Sequence, residues 1–173
     1  MKQWYMLTVV GRDQPGIVSG LSSALYQGGA NLGEASMVRL GGNFTIMMMV
    51  QAEADETALK HQIESFTRKM NLHTHIDRIE GHLHDHVEPN VRIAVHGADR
   101  PGIVAQVTSM LAEAGFNILD LDSDVGGTDA KPIYIMVIDG HAEGGVSAIA
   151  RVLEPIRLSG IEVKLSPIDT LVG

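Results

Sequence analysis

Gly11-Arg12-Asp13-Gln14-Pro15-Gly16-Ile17-Val18 recurs as Gly97-Ala98-Asp99-Arg100-Pro101-Gly102-Ile103-Val104, at an offset of 86 residues. The same offset continues through Leu25 and Leu111, Gly29 and Gly115, and Asn31 and Asn117. A single Pro-Gly pair is commonplace. Identities sustained at one fixed spacing mark a unit written twice in the chain.

Each copy predicts the same order of elements. Before the octapeptide lies an alternating, β-rich stretch, residues 4–10 and 91–96. After it, apolar residues recur at helical spacing: Ile17, Val18, Leu21, Ala24 and Leu25, then Ile103, Val104, Val107, Met110 and Leu111. Gly28-Gly29 and Gly115 are placed to stop these helices in a left-handed residue. Two strands follow, residues 31–40 and 43–51 in the first copy and 117–125 and 132–139 in the second. Gly41-Gly42-Asn43 suits a tight hairpin, whereas residues 126–131 predict a longer connection. A second helix spans 55–70 and 143–159, the latter broken at Pro155. A last strand spans 72–80 and 161–168.

The order βαββαβ, twice over, predicts an α+β protein of two tandem ferredoxin-like units. Each is an antiparallel sheet with its helices on one face and right-handed crossovers. Residues 1–81 form the first unit, 82–89 a linker and 90–173 the second. Units of this size are small for an independent core. The two are therefore expected to pack together, and the chain is expected to form a homodimer.

Composition narrows the function. The 173 residues are 45% hydrophobic and 20% charged, an ordinary globular balance. The absence of cysteine excludes disulfides, thiolate metal sites and a cysteine nucleophile. Met1-Lys2-Gln3-Trp4-Tyr5 enters the first strand without the features of a secretory leader. Apolar runs such as residues 46–50 are far too short to span a bilayer. A cytoplasmic protein without a membrane partner is expected. Residues 1–86 carry seven basic and nine acidic side chains, and residues 87–173 carry six and twelve. No clustered basic footprint is present, so direct contact with nucleic acid is not expected.

A strand ending in G-x-D-x-P-G-I-V, a helix closed by Gly and an Asn opening the next strand together resemble the ACT domain. Two such units in a chain of this length, with no catalytic domain beside them, resemble the glycine cleavage system transcriptional repressor family. The resemblance implies an amino-acid-sensing regulatory protein that is not an enzyme and uses no cofactor. It implies negative regulation of glycine cleavage genes through a protein partner, such as a transcriptional activator. Similar units occur beside catalytic domains in formyltetrahydrofolate deformylases, phosphoserine phosphatases and uridylyltransferases.

The ligand is expected at the start of the first helix of each unit. A helix N-terminus presents unpaired N–H groups and partial positive charge, both suited to a carboxylate. Gly16 and Gly102 let a ligand approach the backbone. Pro15 and Pro101 are expected to fix φ in the first turn, and Ile17 and Ile103 open the helices. Asp13 and Asp99 can cap the helix or pair with an ammonium. Asn31 and Asn117 are expected to add amides from the adjoining strand. Together these could hold a small amino acid such as glycine, at a junction of units or chains. The competing reading makes each Asp a cap, worth about 1 kcal/mol, and each Asn a turn residue.

Other residues of the sequence offer competing chemistry. Histidine is concentrated at His73, His75, His82, His84 and His86. A metal-dependent enzyme built on His82, His84 and His86 is one alternative; a solvated linker is the preferred reading, because such tracts are only compositional. Asp120, Asp122 and Asp124 share one strand face and could hold a hard cation, but are better read as the wet side of an edge strand. Met47, Met48 and Met49 are expected to fill core and interface. Ser19, Ser22 and Ser23 lack a nucleophile elbow, and no phosphate-cradling loop occurs. A module that only oligomerises and binds no ligand is the third reading.

Overall fold

The computed structural model describes residues 2–80, 87–98, 101–128 and 131–168. The chain divides into two units, Met1–Asp85 and His86–Gly173. The first runs β1 (Gln3–Arg12), α1 (Ile17–Gln27), β2 (Asn31–Leu40), β3 (Asn43–Ala52), α2 (Glu56–Lys69) and β4 (His73–Ile79). The second runs β5 (Val91–Ala98), α3 (Ile103–Glu113), β6 (Asn117–Thr128), β7 (Lys131–His141), α4 (Gly145–Val152), α5 (Glu154–Leu158) and β8 (Glu162–Pro167). The sheets are antiparallel, in the orders β2-β3-β1-β4 and β6-β7-β5-β8. This is the expected α+β architecture, two ferredoxin-like units in tandem.

Strand alternation builds each core. Tyr5, Leu7 and Val9 of β1 and Phe44, Ile46, Met48 and Val50 of β3 are buried on one face. They meet Leu21 and Leu25 of α1 and Leu59 and Ile63 of α2 in one cluster. The second unit repeats the scheme with Ile93, Val95, Met136 and Ile138 beneath Val107, Leu111, Ile149 and Leu153. Each fully buried aliphatic side chain contributes roughly 1.5–3 kcal/mol, so each unit has a core of its own. The methionine triplet obeys the same alternation: Met48 is buried, whereas Met47 is 46% exposed on the opposite face.

Four local features depart from the sequence reading or refine it. The expected loop at residues 126–131 is mostly strand, with β6 and β7 pairing out to Thr128 and Lys131. Within this extension Gly127, paired with Pro132, holds a positive φ of 88°. The last helix splits into α4 and α5 at Leu153, with Pro155 in the first turn of α5, where its missing N–H costs least. Asn71 holds a positive φ of 52° after α2. Finally, β2 and β6 each carry a bulge near their start, between Leu32 and Ala35 and between Ile118 and Asp120.

The bulges decide which way the edge strands face. Strict alternation from Ile118 would turn Asp120, Asp122 and Asp124 toward the helices. The extra residue reverses the sense. Asp120 then pairs with Asp139 of β7 on the helix-free face. The three carboxylates are exposed on an edge strand. Among the described residues, no group of three or more His, Asp or Glu is placed to hold a metal. On the same face Arg92 donates to both oxygens of Asp139, at 2.7 and 2.5 Å. These hydrogen bonds hold the Asp139 carboxyl below the usual carboxylate range.

Two outcomes follow from this packing. On α1, a Cβ at Gly20 would lie 2.1 Å from the Phe66 ring. Gly20→Ala should destabilise the first unit, because overpacking costs about 1–3 kcal/mol and outweighs a helix-propensity gain of at most about 1 kcal/mol. Gln106→Ala, at the equivalent exposed position of α3, should leave melting unchanged; calorimetry reads both. Asp139 has a lowered folded-state pKa, so its stabilisation is present above the unfolded carboxylate value and is lost as pH falls through the folded one. The melting difference between wild type and Asp139→Asn should therefore be constant near neutrality, begin to shrink only as pH falls to about 4, and continue to shrink as pH falls further through the lowered folded-state value.

Candidate functional site

The first-unit site is a turn between β1 and α1. The Asp13 N–H donates to the Gly42 carbonyl at 3.0 Å, tying the turn to the β2–β3 hairpin. The Gln14 amide donates to the Met70 carbonyl at 2.9 Å, tying it to the end of α2. Gly16 then adopts φ 92°, ψ −2°, and α1 begins at Ile17, which is buried in the core. Only glycine takes this conformation without strain. A Cβ at Gly16 would have no neighbour within 4 Å. The glycine is therefore required by backbone geometry, and the space above it is open.

This arrangement corrects two expectations. Pro15 lies before the left-handed N-cap and not in the first helical turn. Asp13 does not cap α1, since the N-cap residue is Gly16 and no side chain accepts a capping hydrogen bond from the first helical N–H groups. The Asp13 carboxylate instead forms an ion pair with the Arg39 guanidinium from β2.

An open cavity of about 630 Å³ lies between the turn and β2. Asp13, Pro15, Gly16 and Ile17 form one wall, and Met37, Arg39 and Phe44 form the other. Arg39 is there because of the β2 bulge. It stands opposite Phe44, a buried core residue, and so shares the helix face. The sequence reading missed Arg39, Met37 and Phe44. Counting strand positions outward from the Gly41-Gly42 turn, rather than inward from Asn31, would have placed residue 39 across from residue 44.

The second unit repeats the turn. Gly102 has φ 88°, ψ −3°, and Ile103 is buried. The Gln106 N–H donates to the Gly102 carbonyl at 2.9 Å, as the Gly20 N–H does to Gly16. Pro101 is exposed beside it. Asp99 lies outside the described residues, as do His82, His84 and His86. His75, by contrast, sits on β4 and pairs with Asp77 at 3.0 Å.

Asn31 and Asn117 do not join these turns within a unit. Asn31 is level with Gln51, which pairs with Trp4 at the start of β1, whereas Asp13 follows the end of β1. The 11-residue α1 separates Gly16 from Asn31 by about 16 Å at 1.5 Å per residue. No small zwitterion touches both within one unit. Asn117, across from His141, is placed in the same way after α3. The physical reason is that each first helix runs back along its sheet and delivers the next strand at the opposite end.

A duplicated βαββαβ sandwich, with a glycine turn opening the first helix of each copy, defines a tandem of ferredoxin-like domains. Residues 4–77 and residues 91–156 each match the ACT domain. The chain belongs to the ACT-domain family, as a tandem of two such units. A UPF0237 protein of Streptococcus pneumoniae is 34% identical over 73 residues, spanning 41% of this chain and 83% of the relative. One of Listeria innocua is 34% identical over 80 residues, spanning 43% and 88%. Among solved structures, an unknown protein from Galdieria sulphuraria aligns with a TM-score of 0.75 at 25% identity, over 98% of this chain and 100% of its own. A proposed glycine cleavage system transcriptional repressor also aligns at 0.75, with 18% identity over 98% and 99% of the two chains, a likeness of fold.

Gly16→Ala and Gly102→Ala each place a Cβ on a left-handed residue. Each should cost about 1–2 kcal/mol of stability through backbone strain alone, since the added Cβ meets no neighbour within 4 Å. Thermal melting of the two variants should give shifts of similar size, since the two turns share one geometry.

Proposed function

We propose that this protein is an amino-acid-sensing regulator with no catalytic activity of its own. A small amino acid, with glycine the simplest candidate, binds at the Asp13–Ile17 turn, and the equivalent turn at Pro101–Ile103 with Asp99 is the candidate second site. Binding shifts the chain between states that differ in affinity for a protein partner. The observation that carries this reading is the open cavity against a left-handed glycine, with an acidic and a basic side chain at its edge. A zwitterion offers one charge to each. A shift in partner affinity requires that the ligand bind the two states unequally.

The finer reading is negative regulation of glycine cleavage genes in the cytoplasm, by a homodimer that engages a transcriptional activator and not DNA. Three things support it: the fold shared with a proposed repressor of that system, a net charge of −8, which disfavours binding to a phosphate backbone, and the absence, among the described residues, of a helix long and apolar enough to cross a membrane. Calorimetric titration of the full chain with the twenty protein amino acids tests the sensor. A saturable heat with at least one of them is expected. No heat from any at millimolar concentration would overturn it.

A further inference from the structure

The two turns are alike, but the strands facing them are not. In the first unit, Gly11, Phe44 and Arg39 stand in one row across β1, β3 and β2. In the second, Gly97, Tyr134 and Val125 occupy the corresponding row across β5, β7 and β6. Both edge strands carry their bulge before this row, so the correspondence is one of register and face. Where the first unit presents a guanidinium, the second presents an isopropyl group that is 53% exposed.

We infer that Arg39 and Asp13 form an exchangeable ion-pair clamp, which makes the first unit the zwitterion-binding half of the chain, since the strand position of the second unit that corresponds to Arg39 carries Val125. The inference rests on the sensor reading above. The Asp13 and Arg39 side chains are 29% and 67% exposed. A pair so exposed holds itself together weakly, being screened by water and salt. An amino acid entering the cavity replaces it by two charge-assisted contacts. Its ammonium takes the Asp13 carboxylate, and its carboxylate takes the planar fork of Arg39, a geometry suited to carboxylates. A ligand bearing only one of the two charges leaves one partner of the broken pair unmatched. The clamp thus selects zwitterions over simple amines and simple acids. At the strand position that corresponds to Arg39, Val125 offers no donor to a carboxylate.

Titration of the full chain with the same amino-acid panel, and with acetate and ethylamine as single-charge probes, tests the clamp. One site per chain is expected, at least tenfold weaker in Arg39→Gln and in Asp13→Asn, unchanged in Val125→Gln, and empty with either single-charge probe. Arg39→Lys, which keeps the charge and loses the fork, should fall between wild type and Arg39→Gln. Amide chemical-shift changes should cluster at residues 13–19 and 37–40 and spare residues 101–107. Circular dichroism should find all variants folded, because both side chains lie at the surface. If an amino acid binds but the Arg39 and Asp13 variants bind it as wild type does, or if two equal sites per chain appear, the clamp is wrong and the sensor stands. If wild type binds no amino acid, both fall.

Discussion

A strand that lies flat in a sheet and a helix that packs back over it must be joined by a sharp reversal, and in this chain the reversal is carried by one left-handed residue. At Gly16 and again at Gly102 the backbone sits near φ 90°. This lets Ile17 and Ile103 drop at once into the core. The helix is thereby started at a fixed point over the sheet. Its Leu21 and Leu25, or Val107 and Leu111, then meet the inward residues of the central strands. Any residue with a Cβ would strain this turn. The same property leaves the space beside Gly16 open, so one constraint serves the folding of the unit and the formation of its cavity.

The second determinant is a single extra residue in each edge strand. In β2 it carries Ala35, Met37 and Arg39 to the helix face, and in β6 it turns Asp120, Asp122 and Asp124 away from it. One device has opposite consequences in the two copies because the residues that follow it differ. In the first copy it delivers a cation to the mouth of the turn. In the second it keeps carboxylates off the helix face and brings Asp120 within the field of Arg92, whose bidentate bonds favour the ionised form of Asp139 on the neighbouring strand. A duplicated backbone thus holds two chemically distinct surfaces, a sufficient physical basis for the two halves of a regulator to have different tasks.

The contacts between helices also differ. Gly20 lets α1 lie close against Phe66 of α2, with the Gln62 amide donating to the Gly28 carbonyl near the end of α1. The second unit has Gln106 in place of Gly20 and two shorter helices, α4 and α5, in place of α2. The first unit is therefore tied across its helix layer by a tight glycine contact that the second does not repeat.

Much of this was legible in the residues alone. The repeat of Gly-x-Asp-x-Pro-Gly-Ile-Val, the switch from period two to helical spacing and the punctuating glycines determined the element order, the duplication and the glycine turns, because those are set by local backbone sterics and by which side chains avoid water. Local rules could not reach the rest. The placement of Asn31 far from Gly16 depends on the direction of a whole helix. The pairing of Asp13 with Arg39, and not with the helix start, depends on a bulge that shifts strand register. Residues 126–128 became strand because β7 supplied a partner ladder. Each of these follows from contacts between segments distant in sequence, and only the folded chain, which brings those segments within bonding distance, decides them.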